Sequence, residues 1–173
     1  MTEKQERILA AALQLFAEDG YNAVSTSKVA RMAGVSEGLV FRHFKSKEGL
    51  LNAVMEMGKK RIIALFAKVS DKDEPKAVLR GIIKIPFDIG QDEYHFWRLF
   101  YMVKWQTNDY IDSLFEPINE MLVKAFKELN YDNPKIEAEA IKMLIDGIAT
   151  NLLLRRPENP QKLLKSIFEK YEL

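Results

Sequence analysis

With 173 residues, 47% of them hydrophobic, and no cysteine, the chain can bury a core of its own and excludes disulfides, thiolate metal sites and cysteine nucleophiles. Its 26 basic and 25 acidic residues leave a formal charge of +1, which excludes a uniformly basic protein and makes the distribution of charge the informative quantity. Between Ser25 and Arg61 stand eight basic and three acidic side chains, a local +5 on an otherwise acidic chain, as phosphate binding requires.

The opening "MTEKQERILAAALQLF" has charges and a helical period unlike a signal peptide, and no apolar run approaches the length of a bilayer span, so a cytoplasmic protein with no membrane association is expected. In this first helix Ile8, Ala12, Leu15 and Phe16 share a face, Thr2 and Gln5 make a capping box, and "EDGY" ends it at Gly20. A short helix after Ser25 carries Val29, Ala30 and Ala33 inward as far as Gly34. Ser36 caps a third that stops near Phe44, and Ser46 caps a long fourth running past Phe66. "SDKDEP", Ser70 to Pro75, is the most polar run and reads as a link. Leu79, Ile82, Ile83 and Phe87 predict a helix ended or kinked near Pro86, and "DEYHFWRLFYMVKWQ" predicts another. Ile111 to Leu129 keep one stripe through Pro117, and two Asn-Pro pairs start the last two helices. About nine helices result: the fold class is all-α.

Two short helices joined by "AGVS" form a helix-turn-helix. Ala30 lets them cross closely, Gly34 supplies a positive φ in the turn, and Val29, Val35 and Val40 fill the space between them. A helical hairpin that only packs has the same spacing and is the alternative. On helix-turn-helix geometry Glu37, Gly38, Leu39, Arg42 and His43 face outward, and Ser36 brings a helix N-terminus to the bound molecule. Lys47, with Ser25, Thr26 and Ser27, gathers phosphates at the starts of the flanking helices. Glu37 suits a cytosine amino group and Leu39 a thymine methyl.

"GVSEGLVFRHFKSKEGLL", with "ERILAAALQLFAEDGYNAVSTSKVARMAGVS" upstream of it, resembles the TetR family of bacterial transcriptional regulators over roughly the first fifty residues. The resemblance implies a three-helix DNA-binding head, residues 1–47, and a helical regulatory and dimerisation domain, residues 48–173. It implies binding to an inverted-repeat operator in double-stranded DNA, a homodimer formed through the last two long helices, and a small effector. It carries His43 to a phosphate-facing position. Phe41 stands where the family commonly has tyrosine, which removes a hydroxyl and leaves the ring to pack on the backbone.

The aromatic residues Phe87, Phe96, Trp97, Phe100, Tyr101, Trp105 and Tyr110 either form ordinary core or line a cavity for a hydrophobic effector, with His95, Arg98, Gln106 and Asn108 as the polar groups nearby. For the dimer, Met143, Gly147, Thr150, Asn151 and Leu154 share one face, beside Leu163, Leu164, Ile167 and Phe168. No serine–histidine–acid arrangement, carboxylate pair or metal spacing supports an enzyme, and no cofactor is expected. The expected function is a repressor released from its operator by a small hydrophobic effector. An all-helical adaptor using the aromatic surface for a protein partner, or an activator without a ligand, is the alternative.

Overall fold

The computed structural model describes residues 1–173 apart from 71–72, 105–108 and 156, and side chains also apart from those of 68, 70 and 109–114. Among the described residues the chain is all-α, with nine α-helices, two short 3-10 turns and no strand. The helices are α1 (Glu3–Asp19), α2 (Thr26–Ala33), α3 (Glu37–Phe44), α4 (Lys47–Ser70), α5 (Pro75–Lys84), α6 (Tyr94–Lys104), α7 (Asp109–Glu128), α8 (Pro134–Arg155) and α9 (Pro160–Lys170). The 3-10 turns, Ile85–Asp88 and Gln91–Glu93, stand between α5 and α6, and the first holds the chain-breaking Pro86.

Local chemistry explains most of these boundaries. The Thr2 hydroxyl accepts from the Gln5 amide at 3.3 Å while the Gln5 side-chain oxygen accepts from the Thr2 amide at 2.8 Å, a complete capping box. Ser25 caps α2 by accepting from the Lys28 amide, and Ser46 caps α4 by accepting from the Gly49 amide. Ser36 occupies the N-cap position of α3 but makes no side-chain cap bond. Between α2 and α3 the Gly34 amide donates to the Arg31 carbonyl and the Val35 amide to the Ala30 carbonyl, with Gly34 left-handed at φ 66°. This pair of bonds closes α2 and turns the chain into α3. A Cβ at Gly34 would meet nothing within 4 Å, so the requirement is purely conformational. Gly34→Ala is therefore expected to lower stability by about 1–2 kcal/mol, read by chemical denaturation, without disturbing the core.

Packing groups the chain into two compact units. The first comprises Met1–Arg61 and Asp92–Gln106, the second Ile62–Gln91 and Thr107–Leu173. This division follows backbone packing, whereas a boundary at Lys47 follows the motif. In the first unit Ile8, Ala12, Leu15 and Phe16 of α1 pack with Val29 and Ala30 of α2, Val40 of α3, Leu50 and Val54 of α4, and Leu99 of α6. In the second, α5 packs on α7 and α7 on α8, while α9 lies against the Ile85–Asp88 turn.

The C-terminal helices correct one expectation. Leu164 and Ile167 of α9 are buried by their own chain, Ile167 to 8% exposure, and are not available to a partner. The outward apolar residues are instead Ile136, Met143 and Leu154 of α8 and Leu163 of α9. No helix among the described residues is long and apolar enough to cross a membrane.

Candidate functional site

Val40 is the sole fully buried residue of α3, so the helix is anchored along one line and presents the rest of its surface outward. Glu37, Gly38, Phe41 and Arg42 are exposed, Phe41 to 45%, whereas Leu39 and His43 are half-buried. The ring of His43 is turned toward α1, where Nδ1 lies 3.2 Å from the side-chain Nε2 of Gln5, and the ring meets Phe44 edge-on. His43 is thus oriented by α1 at the margin of the outward surface.

The flanking residues are held by bonds that the sequence pattern does not contain. The Thr26 hydroxyl donates to Glu37 Oε1 at 2.6 Å, joining the first turn of α2 to the first turn of α3 and fixing the Glu37 carboxylate. Ser25 and Ser27 hydroxyls lie 2.9 Å apart beside it. Lys47 Nζ donates to the Asn22 carbonyl at 3.2 Å and sits 4.4 Å from the centre of the Tyr21 ring. One of three ammonium donors is used, which leaves the others for an anion. Burial, with the Glu48 carboxylate adding to it, raises the Tyr21 phenol above its ordinary pKa, so the hydroxyl stays protonated. Gln5, Tyr21 and Asn22 therefore join the candidate site although no local pattern gives them that role, because their partners lie 25 to 38 residues away.

The predicted aromatic set separates. Phe96, Trp97 and Phe100 are buried and meet in tilted and edge-to-face pairs with ring centres 5.3–6.0 Å apart, and Tyr101 joins through Phe100 at 5.7 Å. All four belong to the first unit, where α6 packs on α1. Phe87 is half-buried in the second unit. Trp105, Gln106 and Asn108, and the side chain of Tyr110, lie outside the described residues. His95 is bonded to Glu18 of α1 at 3.1 Å, and Arg98 is half-buried. The second unit has an open groove of about 550 Å³, lined by Ile63, Phe66, Ala67, Pro117, Met121 and the flanking Glu120 and Lys124. None of the predicted aromatic residues lines it.

Two glycines do unpredicted steric work. A Cβ on Gly49 would lie 2.1 Å from the Phe44 carbonyl oxygen, and one on Gly58 would lie 1.7 Å from Phe96 Cε2. The first permits the α3–α4 junction, and the second lets the Phe96 ring rest on the backbone of α4. No group of three or more metal-ligating side chains is found among the described residues.

A family model described as "Bacterial regulatory proteins, tetR family" matches residues 8–54, the stretch that contains α2, α3 and the start of α4. The HTH-type transcriptional regulator YerO of Bacillus subtilis is 29% identical over 145 residues, 82% of this chain and 46% of YerO. YvkB, from the same organism, is 46% identical over 55 residues, 32% of this chain and 29% of YvkB. The chain thus spans less than half the length of these two curated relatives. Among solved structures, a TetR-like regulator from Rhodococcus sp. RHA1 superposes with a TM-score of 0.81 at 18% identity, covering 98% of this chain and 95% of that one. A regulator from Saccharomonospora viridis in complex with choline gives 0.76 at 18%, covering 98% and 97%. FadR from Bacillus subtilis in complex with stearoyl-CoA gives 0.73 at 20%, covering 95% of each chain. At these identities the structural likeness concerns the fold.

Proposed function

This chain belongs to the TetR family of bacterial regulatory proteins, and on that premise we propose that it is a DNA-binding transcriptional repressor that grips an operator as a homodimer and releases it on binding a small apolar effector. The observation that carries the DNA reading is α3, which buries only Val40 fully and offers Glu37, Gly38, Phe41 and Arg42 to a major groove from behind a left-handed glycine turn. Lys47, Ser25 and Ser27 supply the phosphate contacts, and Glu37, aimed by Thr26, accepts from a cytosine amino group.

Selection of bound duplexes followed by titration at several salt concentrations tests this. Binding is expected to weaken steeply with salt. Lys47→Ala should weaken all duplexes about equally and reduce the salt slope by about 1, whereas Glu37→Gln should move the preferred base from cytosine toward adenine, with roughly 1–3 kcal/mol of discrimination at that position. Unchanged base preference in Glu37→Gln together with an unchanged salt slope in Lys47→Ala means that α3 does not lie in the groove.

For the homodimer, support comes from the outward stripe of α8, on which Ile136, Ala140, Met143, Gly147 and Leu154 follow one another at heptad-like spacing. A Cβ on Gly147 would meet nothing, and the Asn151 side chain folds back to donate to the Gly147 carbonyl at 2.8 Å, so the stripe is flat there and open to close approach.

The effector reading rests on α6. Its Phe96, Trp97 and Phe100 form the aromatic cluster while Leu99 and Val103, on the adjoining face, pack into the core that carries α1, α2 and α3. A ligand that parts the cluster shifts the helix on which the DNA-binding core leans. A coupling of about 1–3 kcal/mol lowers operator affinity roughly 5- to 150-fold, provided the ligand favours the DNA-free form. The regulators in complex with stearoyl-CoA and with choline show that the fold accommodates ligands of very different chemistry.

A further inference from the structure

Two hydrogen-bond donors, Arg61 Nη1 and Trp97 Nε1, are the buried side-chain polar atoms left without a partner among the described residues. Both belong to the first unit and both flank the same ring: the Arg61 guanidinium lies over Phe96, 5.8 Å from its centre, and the Trp97 ring meets Phe96 edge-on at 5.3 Å. Trp97 is 3% exposed, so water does not serve its indole N–H from bulk. An indole can only donate, and a guanidinium can only donate and is always charged. None of the ion pairs among the described residues includes Arg61. Polar groups removed from water are almost always satisfied, and a partly buried charge needs a counter-charge.

We infer that the aromatic cluster of α4 and α6 binds the head of an amphipathic anion, a carboxylate or phosphate on an apolar body, with Arg61 and Trp97 donating hydrogen bonds to it. This rests on the effector reading and names the ligand class for it. An acceptor-only, negatively charged group answers both donors and the uncompensated charge at once. The apolar body lies among Phe96, Phe100 and Tyr101. Arg61 is half-buried as a residue while its Nη1 is enclosed, so the head reaches it only when the ligand parts the cluster. The same arrangement argues against a quaternary ammonium ligand. Aromatic rings otherwise suit such a cation, but a guanidinium already stands over the Phe96 face and repels it.

Four probes with one octyl body test the head group on the full chain: octanoate, octyl phosphate, octanol and octyltrimethylammonium, titrated by calorimetry. One of the two anions is expected to bind at least about tenfold more tightly than octanol, and the better of them identifies the head as carboxylate or phosphate. Octyltrimethylammonium is expected to be the weakest. The indole N–H resonance that disappears in Trp97→Phe should shift on anion binding. Arg61→Met should reduce anion affinity to the level of octanol while leaving octanol itself unaffected. It should unfold at a temperature equal to or above that of the parent, because it removes an unpaired charge. The assignment is overturned by octanol matching both anions, by the cation binding best, or by Arg61→Met melting well below the parent with anion affinity intact. If an anion binds with this preference and operator affinity does not move, the site stands and the regulatory reading fails. If operator release is triggered by a ligand indifferent to Arg61→Met, the regulatory reading stands and the assignment falls.

Discussion

Met143→Glu combined with Leu154→Glu is expected to yield a folded monomer whose operator affinity is reduced at least about 100-fold. Both side chains face outward on α8, at 66% and 65% exposure, so each substitution by itself should change the stability of the protomer by no more than about 0.5 kcal/mol. In a two-fold dimer built on this stripe, however, every carboxylate appears twice and is desolvated opposite a copy of itself, which disfavours association. Losing the second head removes the gain from binding two linked half-sites, typically 10²- to 10⁴-fold. Sedimentation velocity, circular dichroism and operator titration on the same sample read the three quantities. Ile167→Glu is the contrasting variant: its side chain is packed inside the protomer, so it should unfold the C-terminal region rather than dissociate a folded dimer. A sedimenting dimer in the Met143→Glu, Leu154→Glu protein moves the interface away from α8.

Gly58→Ala is expected to destabilise the chain by roughly 1–3 kcal/mol or more, although alanine is ordinarily the better helix former by about 1 kcal/mol. The added methyl would fall 1.7 Å from Phe96 Cε2 and 2.1 Å from Phe96 Cζ. That ring is fully buried and walled by Trp97 and Phe100, so it has no rotamer to retreat into. Either α6 or α4 must move. Combining Gly58→Ala with Phe96→Leu should recover part of the loss, and a double-mutant cycle measured by denaturation should show coupling of about 1 kcal/mol or more between the sites. Additive effects would mean that the two residues do not touch. Gly49→Ala is the companion case at the start of α4. There the methyl meets a main-chain oxygen, so the α3–α4 junction should shift and DNA binding suffer.

The local sequence carries the helices and most of their ends. Thr2 with Gln5, Ser25 with Lys28, Ser46 with Gly49, and the Gly34 turn are all bonds between residues three to five apart, which a one-dimensional reading reaches. It also determined the helix-turn-helix, because Val29, Ala30 and Val40 are buried where their period places them. It placed Ser36 and Asn159 at N-cap positions, though neither side chain makes a cap bond. The choices between faces and between partners come instead from packing. Met143 and Leu154 turn outward while Leu164 and Ile167 turn inward, although all four are apolar residues of the last two helices. The aromatic residues of α6 join the unit of the DNA-binding helices, and the proximity of Arg61, Gly58 and Phe96 joins residues 35 to 38 apart in sequence. Thr26 and Glu37 meet for the same reason. A period of 3.6 fixes which residues share a helix face, but not which other helix covers that face. That is decided by the shapes and polar groups of segments distant in the chain, competing for the same buried surface.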